Sequence, residues 1–380
     1  MPVPGAVVEA GHVAGRVVEV DPGGRYVAVA RGDVVTVHDA GAALSPMMSC
    51  TLTGPFHHLA VHPGGKSVAV LGGDLTVELR RSDGTVRRPP DGGPGRAVAE
   101  GPCAPQDSGW AQRGWLQFTA DGSYLLFGEA PPGGPARLHL LDAVTLARVD
   151  GVPALESATG ASLENWGEGV EVGCAAAPST AVAFATCSGD DTLLLAVAEV
   201  VGDRLRLSGA VPGQASFADA VPGERVMGLA LPASGELVVL DSDESLSAFR
   251  RHVPEAGARC LGSGHRLLRA GDGGPLPGFA ARSRALSTGD LKAGLNGPVF
   301  TRGRLLAVAV DEERRTADGW DWQTVGLLFL DLRTGRWLDF LELPGAGRRE
   351  PIVIANGIFH QRIGPRTRIL RWLPPAETGA

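Results

Sequence analysis

Lysine is almost missing from this sequence. Lys66 and Lys292 are its two examples, within a total of 35 basic residues set against 42 acidic ones. The formal net charge of -7 gives a nucleic-acid backbone no general reason to bind, which excludes a basic polyanion binder as a class. Cysteine is also scarce, and its five copies, Cys50, Cys103, Cys174, Cys187 and Cys260, are odd in number and never spaced C-x-x-C. Neither a disulfide framework nor a structural zinc site is signalled, and buried free thiols are expected. No apolar run approaches the ~20 residues that cross a bilayer, since a stretch such as TLLLAVAEVV from Thr192 is soon broken by charge. The start, MPVPGAVVEAGHVAGR, lacks a cationic segment followed by a continuous apolar run. No secretory signal is read there, no membrane partner is expected, and the expected location is cytoplasmic.

What is abundant is glycine and proline, 54 and 28 of 380 residues, a content that argues against helical bundles and helical repeats. Hydrophobic residues make up 44%, ample for a core and too many for low-complexity disorder. The large excess of arginine over lysine resembles proteins of high-GC bacterial genomes, a hint about codons rather than chemistry.

Repetition organises the chain. From Val17 it reads VVEVDPGGRYVAVARGDVVTVHD, and from His58 HLAVHPGGKSVAVLGGDLTVELRRSDG. Each is a short alternating apolar strand, a P-G-G turn with a basic residue, a second apolar strand, a turn ending in Gly-Asp, and a third strand. Period-two alternation bounded by Gly and Pro signals consecutive antiparallel strands. The template recurs at Trp115, Val170, Val226, Val299 and Pro351, which makes seven units. Each unit supplies three or four strands that cannot bury both faces alone, and radial stacking of such sheets builds a common core.

The run LAVHPGGKSVAVLGGDLTVEL at 59 to 79 resembles the strand, turn, strand, D-x-T-V consensus of WD-repeat and related bacterial β-propellers. DLRTG from Asp331 is similar to the D-x-x-T-G ending of a third strand, and DAVTL from Asp142 loosely so. The Gly-His pair and the Trp-Asp ending of the family are missing from most units, so the resemblance is to a divergent superfamily and to no particular member. It implies an all-β fold, a single closed propeller over 1-380 with seven four-stranded blades, six or eight being the alternatives. The last unit lacks an outermost strand, and GAVVEA at 5 to 10 is spare and is expected to complete it, which would cover an exposed edge.

Motifs with chemistry are few. HPGGKSVAV from His62 ends like a phosphate-binding loop, but Ala60 stands where glycine is needed and a strand follows in place of a helix. His57, His58 and His62 cluster in sequence, yet on a strand His58 and His62 lie ~13 Å apart, too far to hold one zinc without other ligands. Asp33, Asp74, Asp190, Asp191, Asp241 and Asp243 recur after the second strand of successive units and read as turn aspartates, not as a calcium loop. G-x-S-x-G, S-x-x-K and H-E-x-x-H are absent, which weighs against the common hydrolases without eliminating a site assembled across blades. No catalytic residue, metal site or cofactor is assigned. Six arginines, at 348, 349, 362, 366, 368 and 371, face only Glu350, and read as a solvated strand or as a docking patch for an acidic partner.

Loop lengths carry the functional expectation. First-to-second turns stay short, while long insertions fall at 89 to 114, 128 to 137, 151 to 169, 262 to 297 and 311 to 324. All are second-to-third or between-blade connections, which in a four-stranded meander emerge on one face. They carry Trp110, Trp166, Trp320 and Trp322, and beside them the carboxylates Glu164, Glu168, Asp318 and Asp321. Tryptophan is enriched at binding hot spots, although it also pins loops to the surface beneath them. Trp115 and Trp337 lie in strands and are read as core. The expected function is a non-catalytic interaction scaffold for a protein or peptide. The alternative is a lyase, a hydrolase or a small-molecule or glycan binder using the same face.

Overall fold

The computed structural model describes residues 5–90, 114–129, 135–159, 169–174, 179–188, 191–209, 216–221, 223–251, 253, 257–268, 292–316, 319–344 and 352–374. The strands of these residues form seven four-stranded antiparallel sheets arranged as the blades of a β-propeller. The first sheet is β2 (Arg16–Val20), β3 (Tyr26–Arg31), β4 (Val34–Asp39) and β5 (Ser45–Thr51). The second is β6 (Phe56–Val61), β7 (Ser67–Gly72), β8 (Val77–Arg81) and β9 (Val86–Arg87). The third is β10 (Gly114–Phe118), β11 (Tyr124–Glu129), β12 (Arg137–Asp142) and β13 (Arg148–Val152). The fourth is β14 (Gly169–Cys174), β15 (Val182–Ser188), β16 (Asp191–Val201) and β17 (Arg204–Ser208). The fifth is β18 (Val226–Ala230), β19 (Glu236–Asp241), β20 (Ser245–Arg250) and β21 (Arg259–Ser263). The sixth is β22 (Lys292–Arg302), β23 (Leu305–Thr316), β24 (Gly319–Asp331) and β25 (Arg336–Glu342). The seventh holds β26 (Ile352–Ala355), β27 (Ile358–Ile363) and β28 (Arg366–Leu373), with β1 (Ala6–Ala14) as its outer strand. Helix among the described residues amounts to α1 (Leu155–Thr159), α2 (Gly264–Leu268) and a 3-10 turn at Ala218–Ala220.

The second strands read YVAVA, SVAVL, YLLFG, VAFAT and ELVVL because both of their faces are covered, and their residues are buried almost without interruption. The apolar layers lie between neighbouring sheets. Leu71, Leu79, Phe118 and Phe127 fill the layer between the second and third sheets, and Trp115, Leu138 and Phe184 the next. Phe329 and Trp372 pack between the sixth and seventh, their rings 4.8 Å apart. A seventh layer lies between the last sheet and the first, where Val13, Ile358 and Ile369 meet Val17, Val27 and Val29. Each such side chain contributes about 1.5–3 kcal/mol when fully buried.

β1 pairs antiparallel with β28 from Ala6 opposite Leu373 to Ala14 opposite Arg366, with a bulge between Glu9 and Gly11. Without it β28 would present a bare edge, and the Pro-Pro pair at 374 and 375 gives the chain no donor with which to extend that sheet.

Strand direction sorts the connections onto two faces. The turn face carries the first-to-second and third-to-fourth connections, and the connection face carries the second-to-third and between-sheet ones. The long spans 88–113, 130–136, 153–168 and 264–291 all belong to the connection face by strand order. A further one, 209–225, was not singled out in the sequence. Its described part is held down by buried Phe217, which packs on Phe249 and donates its backbone N–H to Gly209.

The sequence is corrected at three places. Residues 311–316 and 319–324 are not loop but the tips of β23 and β24, paired from Asp311 opposite Thr324 to Thr316 opposite Gly319. The alternation W-D-W-Q-T has strand period, and cross-strand neighbours stabilise the pairing. Trp337 is only half-buried and donates its Nε1–H to the Leu261 carbonyl at 2.9 Å, tying the sixth sheet to the fifth. Of the cysteines, Cys260 is exposed on the outer strand β21 and Cys50 is half-buried, so the expectation of buried thiols fails at Cys260.

Candidate functional site

Of the candidate residues, Trp320, Asp321 and Trp322 are among the described residues. Trp110, Trp166, Glu164, Glu168 and Asp318 lie outside the described residues. Trp320, Asp321 and Trp322 lie on β24, opposite Arg315, Arg314 and Glu313 of β23. At 12 and 13 residues β23 and β24 are about twice the length of the second and third strands β3 and β4, which have six each. β22, with 11 residues, is lengthened in the same way.

Polar groups buried toward this face are unusually placed. Glu129 ends β11 and is fully buried. Its Oε1 accepts from His139 Nε2 at 3.0 Å and from Arg137 Nη1 at 3.3 Å, both on β12. Register makes this possible, because Arg137 stands opposite Glu129 and His139 opposite Phe127, whose ring it stacks on at 5.5 Å. Burial pushes the Glu129 carboxyl up, but the His139 hydrogen bond and the His139 and Arg137 charges outweigh it and hold it below the usual range. The second oxygen of Glu129 and Nδ1 of His139 have no hydrogen-bond partner. Asp311, at the base of the extended hairpin, is pushed up to about 6 by burial, with a Thr324 hydrogen bond working against the rise. Its Oδ1 is likewise without a partner.

Between the first and second sheets a cleft of ≈ 390 Å³ opens on this face, walled by Thr53, Gly54, Gly72 and Arg80. Glu78 accepts from Arg80 and from Arg88 there, at 2.6 Å each. Burial raises the Glu78 carboxyl, and the Arg88 and Arg80 hydrogen bonds more than reverse it.

The histidines take structural roles. His58 Nδ1 accepts from the Leu116 N–H at 3.3 Å, linking two first strands, and burial holds its pKa down at about 4. His62 accepts from Gly64 N at 2.9 Å within its own turn and reaches the Gly122 carbonyl at 3.1 Å. Turn aspartates bond their own backbone: Asp241 accepts from Gly223, Asp243 and Ser245, and Asp74 from Thr76. Among the described residues no group of three or more His, Cys, Asp or Glu is placed to hold a metal ion. No described helix is long and apolar enough to cross a membrane.

Sequence reasoning did not single out the Glu129–His139 pair. Its signal was nonetheless present, a carboxylate closing LLFGE and an imidazole inside the apolar run RLHLL. Compared with known proteins, the chain matches no family model and no curated sequence.

Proposed function

We propose that the chain is a partner-binding propeller, a divergent relative of the WD-repeat type, that presents its connection face to a protein or peptide within a bacterial, cytoplasmic multiprotein system. The observation that carries this reading is the parity of the insertions. Every connection longer than eight residues emerges on one face by strand order, together with the hairpin that bears Trp320 and Trp322. Irregular long connections on a rigid scaffold are where binding residues concentrate. Tryptophan supplies large contact area, and acidic residues stand beside it in the sequence, Glu168 near Trp166 and Asp318 and Asp321 flanking Trp320, with Trp110 as the fourth anchor.

A second reading, a small-molecule or glycan site with acid–base chemistry, draws on the buried Glu129–His139 pair and on Asp311, whose carboxyl sits at about 6. Affinity capture from an extract of the native host, read by mass spectrometry beside a metabolite-binding screen, separates the two. A stoichiometric protein captured by the full chain and lost with Trp320→Ala/Trp322→Ala supports the platform. A small molecule whose binding is lost with Glu129→Gln supports the second reading.

A further inference from the structure

We propose that the seam between the seventh and first sheets is a docking groove for an extended acidic peptide segment of a partner protein. The surface rests on the reading of the chain as a partner-binding platform, but it lies on the seventh and first sheets, whereas Trp320 and Trp322 lie on the sixth. β1 is the outermost strand of its sheet, so one of its edges carries backbone groups with no strand beside them. Between β1 and the face of β3 and β4 runs a groove of ≈ 720 Å³. Its floor is apolar, made by Val13, Val29, Leu44 and Val34, and Val34 is 36% exposed. Its titratable lining is His12, Arg31 and His38, with no carboxylate among the lining residues.

The charge around the groove is one-sided. Arg16 begins β2, Arg31 ends β3, Arg366 begins β28 and Arg362 lies one residue before the end of β27, so all four stand at the connection-face end of these two sheets. All four are exposed, and among the described residues none is in an ion pair. Glu9 is already answered, by Arg368 at 2.7 Å and His12 at 3.4 Å. Asp33, in the turn between β3 and β4, pairs with none of them. On a chain of net charge -7, four arginines with no ion pair among the described residues, Arg31 of them lining the apolar groove, call for an acidic occupant.

An extended peptide meets all three features at once. Its main chain adds to the open edge of β1, alternate apolar side chains enter the floor, and the intervening carboxylates face the arginines. A nucleic acid would use the arginines but neither the apolar floor nor the strand edge.

Panning a display library of random peptides, nine residues long like β1, against the full chain tests the assignment. The recovered sequences should alternate apolar residues with Asp or Glu. They should bind Arg31→Glu/Arg366→Glu at least about ten-fold more weakly, and Val34→Lys similarly, with Arg333→Glu on the turn face unchanged. Trp320→Ala/Trp322→Ala should bind them as the parent does, so that failure here and failure of the platform reading are told apart. Recovery of no peptide, recovery without acidic bias, or equal binding to Arg31→Glu/Arg366→Glu would overturn the proposal. So would equal loss with Arg333→Glu, or displacement of the peptides by a short single-stranded oligonucleotide at the same concentration as by free peptide.

Discussion

On the turn face, neighbouring sheets are stitched together by bonds that cross from one to the next, whereas on the connection face buried polar atoms are left unmatched. Asn356 Nδ2 donates to the Asp21 carbonyl at 3.1 Å, and Arg302 reaches the Gly24 carbonyl at 2.8 Å, joining the seventh and sixth sheets to the first. His62 spans the second and third sheets, Asp121 N donates to the Ser179 carbonyl between the third and fourth, and Arg251 meets Glu199 at 3.6 Å between the fifth and fourth. Toward the connection face, Trp115 Nε1, Glu129 Oε2, His139 Nδ1, Arg225 Nε and Asp311 Oδ1 are buried without a hydrogen-bond partner, and on the turn face Arg251 Nε is another such atom. Each such atom costs about 1–3 kcal/mol. Bonds between sheets occur on the connection face too, where Val226 N–H donates to Thr192 Oγ1 at 2.9 Å and Thr192 N–H to the Glu224 carbonyl at 2.8 Å, so what sets this face apart is its unmatched groups, which a further contact would satisfy.

The largest expected effect comes from removing the strand that joins the chain's two ends. Deletion of residues 2–10 takes most of β1, including Val7, out of the layer with Phe329 and Trp372. Stability should fall by about 3 kcal/mol or more, with aggregation through the bared β28 edge, read by thermal denaturation and light scattering. A truncated chain that melts and scatters like the parent would remove β1 from the account of how the ring is held.

A matched glycine pair tests the two faces directly. Gly24 on the turn face and Gly32 on the connection face share φ +63, so an alanine is equally strained at both. At Gly24 the added Cβ would collide with the Asn356 carbonyl, while at Gly32 nothing lies within 4 Å. Denaturant unfolding should show Gly24→Ala costing about 3 kcal/mol and Gly32→Ala about 1 kcal/mol. Equal costs would break the contrast.

The smallest effect is in pH dependence. Glu19, at the turn-face end of β2, is pushed up to about 7 by burial, against a backbone hydrogen bond from Val20 and with the help of the Asp21 charge. A carboxyl raised in the folded state binds more protons folded than unfolded, so its contribution is full below the unfolded value of 4.5 and is lost as pH rises through about 7. Glu19→Gln should flatten the decline in unfolding free energy across that window, by about 1 kcal/mol, as read by denaturant unfolding at each pH. An unchanged slope would mean that Glu19 stays solvated enough to ionise freely.

Most of the architecture was legible because it repeats. Five of the seven first strands begin within one residue of the positions read from the pattern, at Arg16, Gly114, Gly169, Val226 and Ile352. The sixth was read at Val299 but begins at Lys292, because the bulge between Leu295 and Val299 and Gly297 at φ +113 break the alternation there. The contacts that hold the turn face were not legible. Arg302 and Gly24 are 278 residues apart, and only the meeting of the sixth, seventh and first sheets brings them together. Trp320 and Trp322 were singled out from residue type and connection parity, on a segment read as a loop that is strand. Glu129 and His139 were missed because their distance depends on cross-strand register, which spacing in the sequence does not reveal.

The central claim is that the connection face binds and the turn face holds. Its most direct test is capture of the native partner or ligand by Trp320→Ala/Trp322→Ala, with Arg333→Glu on the turn face as control and the thermal midpoint measured on each. If the claim holds, the tryptophan variant loses recovery by up to about 2 kcal/mol per anchor, its midpoint stays nearly unchanged, and the control binds as the parent does. A midpoint that drops while recovery is retained would instead make these tryptophans part of the scaffold and contradict the account.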